Sequence, residues 1–146
     1  MALKGSYSTL LLSLVLLGAW LALATGRLPN PAKDQFLRRH WDNPKTQATN
    51  NTAYCRLLTR CRGIYRRNNT FIHAPTDAIN SVCTNGGRPI SGNRRRSIRL
   101  FRLTICKFNP NARNYTGKSL FRRIVIICRN RFPVRLVRPI RFRPWL

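Results

Sequence analysis

The side chains in this sequence suited to moving protons near neutral pH are its two histidines, His40 and His73. His40 closes the stretch Phe36-Leu37-Arg38-Arg39-His40, and His73 closes Asn69-Thr70-Phe71-Ile72-His73. Imidazole takes up or releases a proton near neutral pH, and guanidiniums hold negative charge such as that of phosphate. A third stretch, Pro133-Val134-Arg135-Leu136, offers an arginine and no histidine. With a pKa above about 12, that side chain binds phosphate but does not release a proton on cue. No metal-ligand cluster, phosphate-binding glycine loop or Ser/His/Asp arrangement is present, so neither a metal nor a cofactor is expected.

The net charge is +25, from 28 basic residues against three acids, Asp34, Asp42 and Asp77. Almost none of that charge can be neutralised internally. Self-repulsion costs stability, and the surface attracts nucleic acid, anionic lipid or sulfated glycan. The first 26 residues read as a secretory signal: Lys4 is their only charge, Leu10 to Leu23 are apolar, and Ala24-Thr25-Gly26 supplies small residues for cleavage. Residues 27–146 then form one domain of an extracellular protein.

Secretion permits disulfides. The five cysteines, Cys55, Cys61, Cys83, Cys106 and Cys128, leave at least one thiol over and several two-bridge pairings open. Asn50, Asn68 and Asn114 each head a glycosylation sequon.

These residues need elements to hold them. Pro29 and Pro31 mark an extended start. A short helix follows, with Asp34 as cap and Phe36, Leu37, His40 and Trp41 on one face, ended by Pro44. Thr46 to Asn51 form a polar loop. Tyr54, Leu57, Leu58 and Cys61 recur at helical spacing before the stop Gly63. On that face Cys61 reads as a buried, inert thiol rather than a reactive or dimer-forming one. A third short helix follows Pro75, with Ile79, Val82 and Cys83 together.

Strand patterns follow. Ile98 and Leu100 lie on one parity and Phe101, Leu103 and Ile105 on the other, which predicts a bulge near Leu100. Phe121 to Cys128 is a β-branched run. In the tail, Phe132, Val134, Leu136, Ile140 and Phe142 alternate with Arg131, Arg135, Arg141 and Arg143. Helices first and antiparallel strands later make the chain α+β. Arg60, Arg62, Arg66 and Arg67 form one basic cluster, and Arg94, Arg95, Arg96, Arg99 and Arg102 another. Phe101 and Phe121 interleave with arginines but are assigned to the core.

The ordered segments Phe36 to His40, Tyr54-Cys55, Asn69 to His73, Val82-Cys83, Thr104-Ile105-Cys106-Lys107 and Pro133 to Leu136 resemble the pancreatic ribonuclease superfamily, and within it the shorter angiogenin-like and leukocyte-type members. The resemblance implies three short helices on a V-shaped antiparallel sheet with a basic cleft. It also implies RNA cleavage by attack of the ribose 2′-hydroxyl on the neighbouring phosphate, using a base, an acid and a cation.

By that resemblance, His40 is the general base and Arg39 replaces a glutamine. Thr70 reads pyrimidine edges, supported by Asn69 and Phe71, and His73 is mainly structural. The loop after Cys55 is shorter than usual, which puts Arg66 in the place of the catalytic lysine. Arg135 replaces the acid histidine, and losing a general acid costs about 10²- to 10⁴-fold in rate. Cys55, Cys83, Cys106 and Cys128 match the first, third, fourth and sixth family cysteines. The implied bridges are Cys55–Cys106 and Cys83–Cys128, with Cys61 extra.

The expectation is a secreted, monomeric, cationic ribonuclease-fold protein that binds RNA and other polyanions in host defence, with lost or much reduced cleavage. Anionic membrane surfaces or sulfated glycans are further expected partners, with Trp145 and Leu146 reaching into lipid. The alternatives are an active pyrimidine-directed endoribonuclease and an angiogenin-like signalling factor.

Overall fold

A computed structural model describes residues 30–137 of the chain. The expected signal segment lies outside the described residues, as do Ile140, Arg141, Phe142, Arg143, Trp145 and Leu146. Three helices precede or interrupt seven strands: α1 (Pro31–His40), α2 (Asn51–Arg62), β1 (Asn68–Ile72), α3 (Thr76–Ser81), β2 (Gly87–Pro89), β3 (Arg94–Ser97), β4 (Phe101–Asn109), β5 (Asn114–Arg122), β6 (Val125–Arg129) and β7 (Phe132–Val137). The strands form two antiparallel sheets, ordered β1-β4-β5 and β2-β3-β6-β7. The expected α+β fold is present.

Helix α1 starts at Pro31, whose fixed φ suits a first helical position. Asp34 therefore sits inside the first turn, where its charge favours the helix dipole, instead of capping the end. The helix ends at His40, ahead of Pro44, and Trp41 leaves it to bridge Ile72 of β1. Asn50 caps α2 by accepting from the Ala53 N–H, and Gly63 closes it at φ 63°, a left-handed value that glycine adopts without strain. The start of α2 lies against β5, where a Cβ on Gly117 would stand 2.3 Å from the Asn51 carbonyl oxygen. Only glycine permits that approach.

The buried face of α2 runs through Tyr54, Cys55, Leu58 and Thr59. This corrects the expectation for Cys61, which is exposed. The helix is rotated toward β4 by the Cys55–Cys106 bridge, and Thr59 is buried because its hydroxyl donates to the Cys55 carbonyl at 2.6 Å. Leu57 and Cys61 consequently face out. The second bridge is Cys83–Cys128, as the resemblance implied.

Strand β1 is buried on both faces. Phe71 joins Tyr54, Leu58, Ile64 and Cys106 in one apolar cluster. Ile72 joins Phe36, Ile79, Val82, Phe101, Leu103 and Ile126 in the other. The parity change near Leu100 is not a bulge: Ile98, Arg99 and Leu100 form an exposed break between β3 and β4. A register shift occurs instead at Ile127/Cys128, opposite β7. The run Phe121 to Cys128 is likewise two strands, because the chain crosses from one sheet to the other at Arg123–Ile124. Phe101 is buried as expected, but Phe121 is 60% exposed, since β5 is an edge strand and Phe121 pairs with the outward Arg102.

Around Asp42, α1, α2 and β1 are joined by polar contacts. Its carboxylate accepts from the Tyr54 hydroxyl at 2.6 Å and from the Thr46 N–H and hydroxyl, each at 2.9 Å. Arg62 completes the set at 3.5 Å and donates to the carbonyls of Leu37, Arg38 and Trp41 at the end of α1. Burial pushes the Asp42 carboxyl up, but the Tyr54 and Thr46 hydrogen bonds and the Arg62 charge outweigh it and hold the pKa below its ordinary value. Burial first, then the hydrogen bond to Asp42 and its charge, push the Tyr54 hydroxyl up, with Arg62 opposing.

Asp42→Asn is expected to lower unfolding stability by about 2–4 kcal/mol at pH 7, because the Tyr54, Thr46 and Arg62 donors lose their carboxylate and Arg62 keeps its charge without a counter-charge. Urea denaturation checks this. A carboxyl with a depressed folded pKa stabilises above its unfolded pKa and loses that contribution as pH falls through the folded value. The gap between the two proteins therefore closes in acid.

Candidate functional site

His40 is the last residue of α1, is 7% exposed, and packs against the Phe36 ring at 5.2 Å. Its Nδ1 lies 2.8 Å from the Thr70 carbonyl oxygen of β1. A carbonyl only accepts, so Nδ1 carries the proton and Nε2 presents a lone pair. That is the tautomer a general base needs. Asn69 secures the same junction by donating from Nδ2 to the Arg39 carbonyl at 2.8 Å.

Burial pushes the His40 pKa down, the Thr70 bond partly offsets this, and the charges of Arg66 and Arg39 lower it further, to about 4. At neutral pH the ring is uncharged and ready to accept a proton, though weakly basic. Arg39 is itself lowered, first by desolvation and then by Arg66. Two guanidiniums that repel each other beside a buried imidazole make a cradle for an anion. A phosphate seated there would offset both charges and raise the His40 pKa toward the range useful for catalysis.

The structure thus brings together His40, Arg39, Arg66, Asn69 and Thr70. Thr70 is 8% exposed, and its carbonyl is the group that meets His40. Phe71 is fully buried and meets the Tyr54 ring edge-on at 5.7 Å, so it supports the site from beneath. Arg135 is exposed on β7, paired with Ile127. The turn before it, Asn130-Arg131, has both φ values positive, and Lys33 of α1 lies 4.2 Å from the Phe132 ring. That contact sets β7 beside α1.

His73 has both ring nitrogens engaged, Nδ1 with the Asp42 carbonyl at 2.6 Å and Nε2 with the Thr104 hydroxyl at 2.7 Å. Its pKa is lowered, chiefly by burial. It ties β1 to β4.

The basic clusters divide. Arg60, Arg66, Arg67, Arg94 and Arg99 are exposed. Arg62 is committed to the Asp42 network. Arg95 donates to the carbonyls of Val82, Thr84 and Gly87, binding α3 and the β2 hairpin to β3, and Arg96 is half-buried in the same strand. The sequence reading passed over Asp42 as one of three acids. Its signal was there: an acid two residues after His40 in so basic a chain invites the question of which cation it holds.

The family described as pancreatic ribonuclease matches residues 31–143. The chain is 36% identical over 115 residues to a ribonuclease of Chelonia mydas, covering 73% of this chain and 97% of that protein. It is 38% identical over 144 residues to an angiogenin of Saimiri sciureus, covering 92% and 96%. The crystal structure of green turtle egg white ribonuclease is similar at a TM-score of 0.72 and 34% identity, covering 76% of this chain and 100% of that one.

An NMR titration is expected to place His40 near pH 4, and Arg66→Ala to move it upward by removing a repelling charge. Because the folded pKa is depressed, stability is full above the unfolded value of about 6.5 and falls as pH drops toward 4. A His40 that titrates at 6.5 contradicts the burial argument.

Proposed function

The chain belongs to the pancreatic ribonuclease family, and on that premise we propose that it is a secreted, cationic protein that holds RNA and other polyanions in the His40 cleft while cutting RNA slowly or not at all, with host defence as its use. The observation that carries this reading is the cradle itself: a neutral imidazole with Nε2 free of the Thr70 bond, flanked by Arg39 and Arg66. It provides anion affinity and a base position.

Cleavage also needs a group that protonates the departing 5′ oxygen. At the position where the family resemblance places that acid, the chain has Arg135, which keeps its protons at any physiological pH. The base half of the reaction is retained without the acid half. Arg66 in place of a lysine still offsets phosphate charge. With +25 on the chain, affinity is carried by the backbone of the polyanion and is strongly salt-dependent.

The preserved orientation of His40 favours a second reading, a slow pyrimidine-directed endoribonuclease in which water or another group protonates the leaving oxygen. The two are separated by restoring the acid. On the first reading wild-type cleavage of uridine-containing RNA is absent or only residual, and Arg135→His raises it by about 10²- to 10⁴-fold. RNA affinity at fixed salt stays within about a factor of three in that variant, since one cation among many is changed. Wild-type cleavage that disappears in His40→Ala would establish the second reading instead.

A further inference from the structure

We propose that Ile98, Leu100 and Phe121, with Arg102 across the ladder from Phe121 and Arg123 bonded to the 98–100 loop, form a docking surface for an anionic phospholipid bilayer. The three apolar side chains are 46%, 39% and 60% exposed. A chain this charged has every reason to bury what apolar surface it has, and here it presents three large residues to water.

Local geometry makes them one surface. Phe121 stands directly across from Arg102 in the β4–β5 ladder, so the two share the outer face, while Arg122 faces the buried Phe101 on the other side. Facing residues in such a ladder have Cβ atoms about 5 Å apart. Arg123 donates from Nε to the Ile98 carbonyl at 3.0 Å, tying the 98–100 loop to the end of β5. The Arg99 guanidinium lies over the Phe101 ring at 4.9 Å, a cation–π contact that holds the 98–100 loop against the start of β4.

The occupant follows from charge and shape. Arg102 and Arg123 beside the apolar side chains, on a chain of net charge +25, favour an anionic partner and oppose a second copy of the chain. Isoleucine and leucine have no ring face on which a nucleobase can stack, whereas aliphatic side chains enter the boundary between headgroups and acyl chains. Each arginine near an anionic leaflet adds attraction. The surface uses neither His40 nor Arg66, so it stands or falls independently of the cleft.

The test is co-sedimentation of the full secreted chain with phosphatidylglycerol/phosphatidylcholine vesicles at physiological salt, with pure phosphatidylcholine as the neutral control. Wild type is expected to bind the anionic vesicles only. Phe121→Ser combined with Ile98→Ser and Leu100→Ser is expected to lose binding at least about tenfold while keeping the affinity for single-stranded oligonucleotides. In Phe121→Trp, which preserves the apolar ring, tryptophan emission should shift to the blue on adding anionic vesicles. Unchanged vesicle binding by the triple variant, or no spectral shift in Phe121→Trp, overturns the proposal. So does a parallel loss of oligonucleotide binding, which would make the patch a nucleic-acid surface.

Discussion

Asp42 is the point on which the functional half of the molecule depends. It is 5% exposed, and both its side chain and its backbone are used: the carboxylate by Tyr54, Thr46 and Arg62, the N–H by the Ile72 carbonyl, and the carbonyl by His73. Through Arg62 the same carboxylate holds the carbonyls at the end of α1, the turn that ends in His40. A chain with net charge +25 has few ways to neutralise a half-buried guanidinium, and here one acid does so where two helices and a strand converge. The energy of the contact lies less in the ion pair than in the number of polar groups left without partners if it is removed.

The site inherits its character from that anchoring. Because α1 is held against β1, His40 is buried, its Nδ1 is occupied, and its pKa is depressed by desolvation before any neighbouring charge acts. Arg66 and Arg39 deepen the depression. The guanidiniums that help burial keep this imidazole neutral are also the groups that would attract an anion, so anion binding and the ring's basicity would be coupled. Anion occupancy makes the histidine more basic, and an empty cradle makes it less so.

The arginines fall into two physical classes. Arg62 and Arg95 act as cross-links, each gathering several backbone carbonyls from elements distant in sequence, a use for which the planar five-donor guanidinium is better shaped than an ammonium. The exposed ones supply field strength. Two disulfides joining positions 51 and 45 residues apart offset part of the self-repulsion by restricting the unfolded chain, at about 4 kcal/mol each in the chain-entropy view.

Local signals in the sequence determined much of this. Helical spacing around Tyr54 and Leu58, the stop at Gly63, the apolar face of α1 and the inward Phe101 and Leu103 are all short-range patterns, and the resemblance supplied the bridges and the place of His40. Ile105, of the same parity, is only half-buried, while Thr104 and Cys106 on the opposite face of β4 are fully buried. The sequence also determined that position 135 cannot release a proton, since that is a property of the side chain alone. Tertiary structure decided what depends on neighbours far away in the chain. Helical period does not tell Cys61 from Thr59 as the edge of a buried stripe, because the rotation of α2 is set by Cys106 on β4. The weakly apolar first half of β5 is a strand only because β4 is beside it, and edge position is what leaves Phe121 in water. The Asp42 network and the division of arginines into cross-links and surface charges arise for the same reason. A charge is worth little until the fold determines how much water remains around it and which partner is within reach.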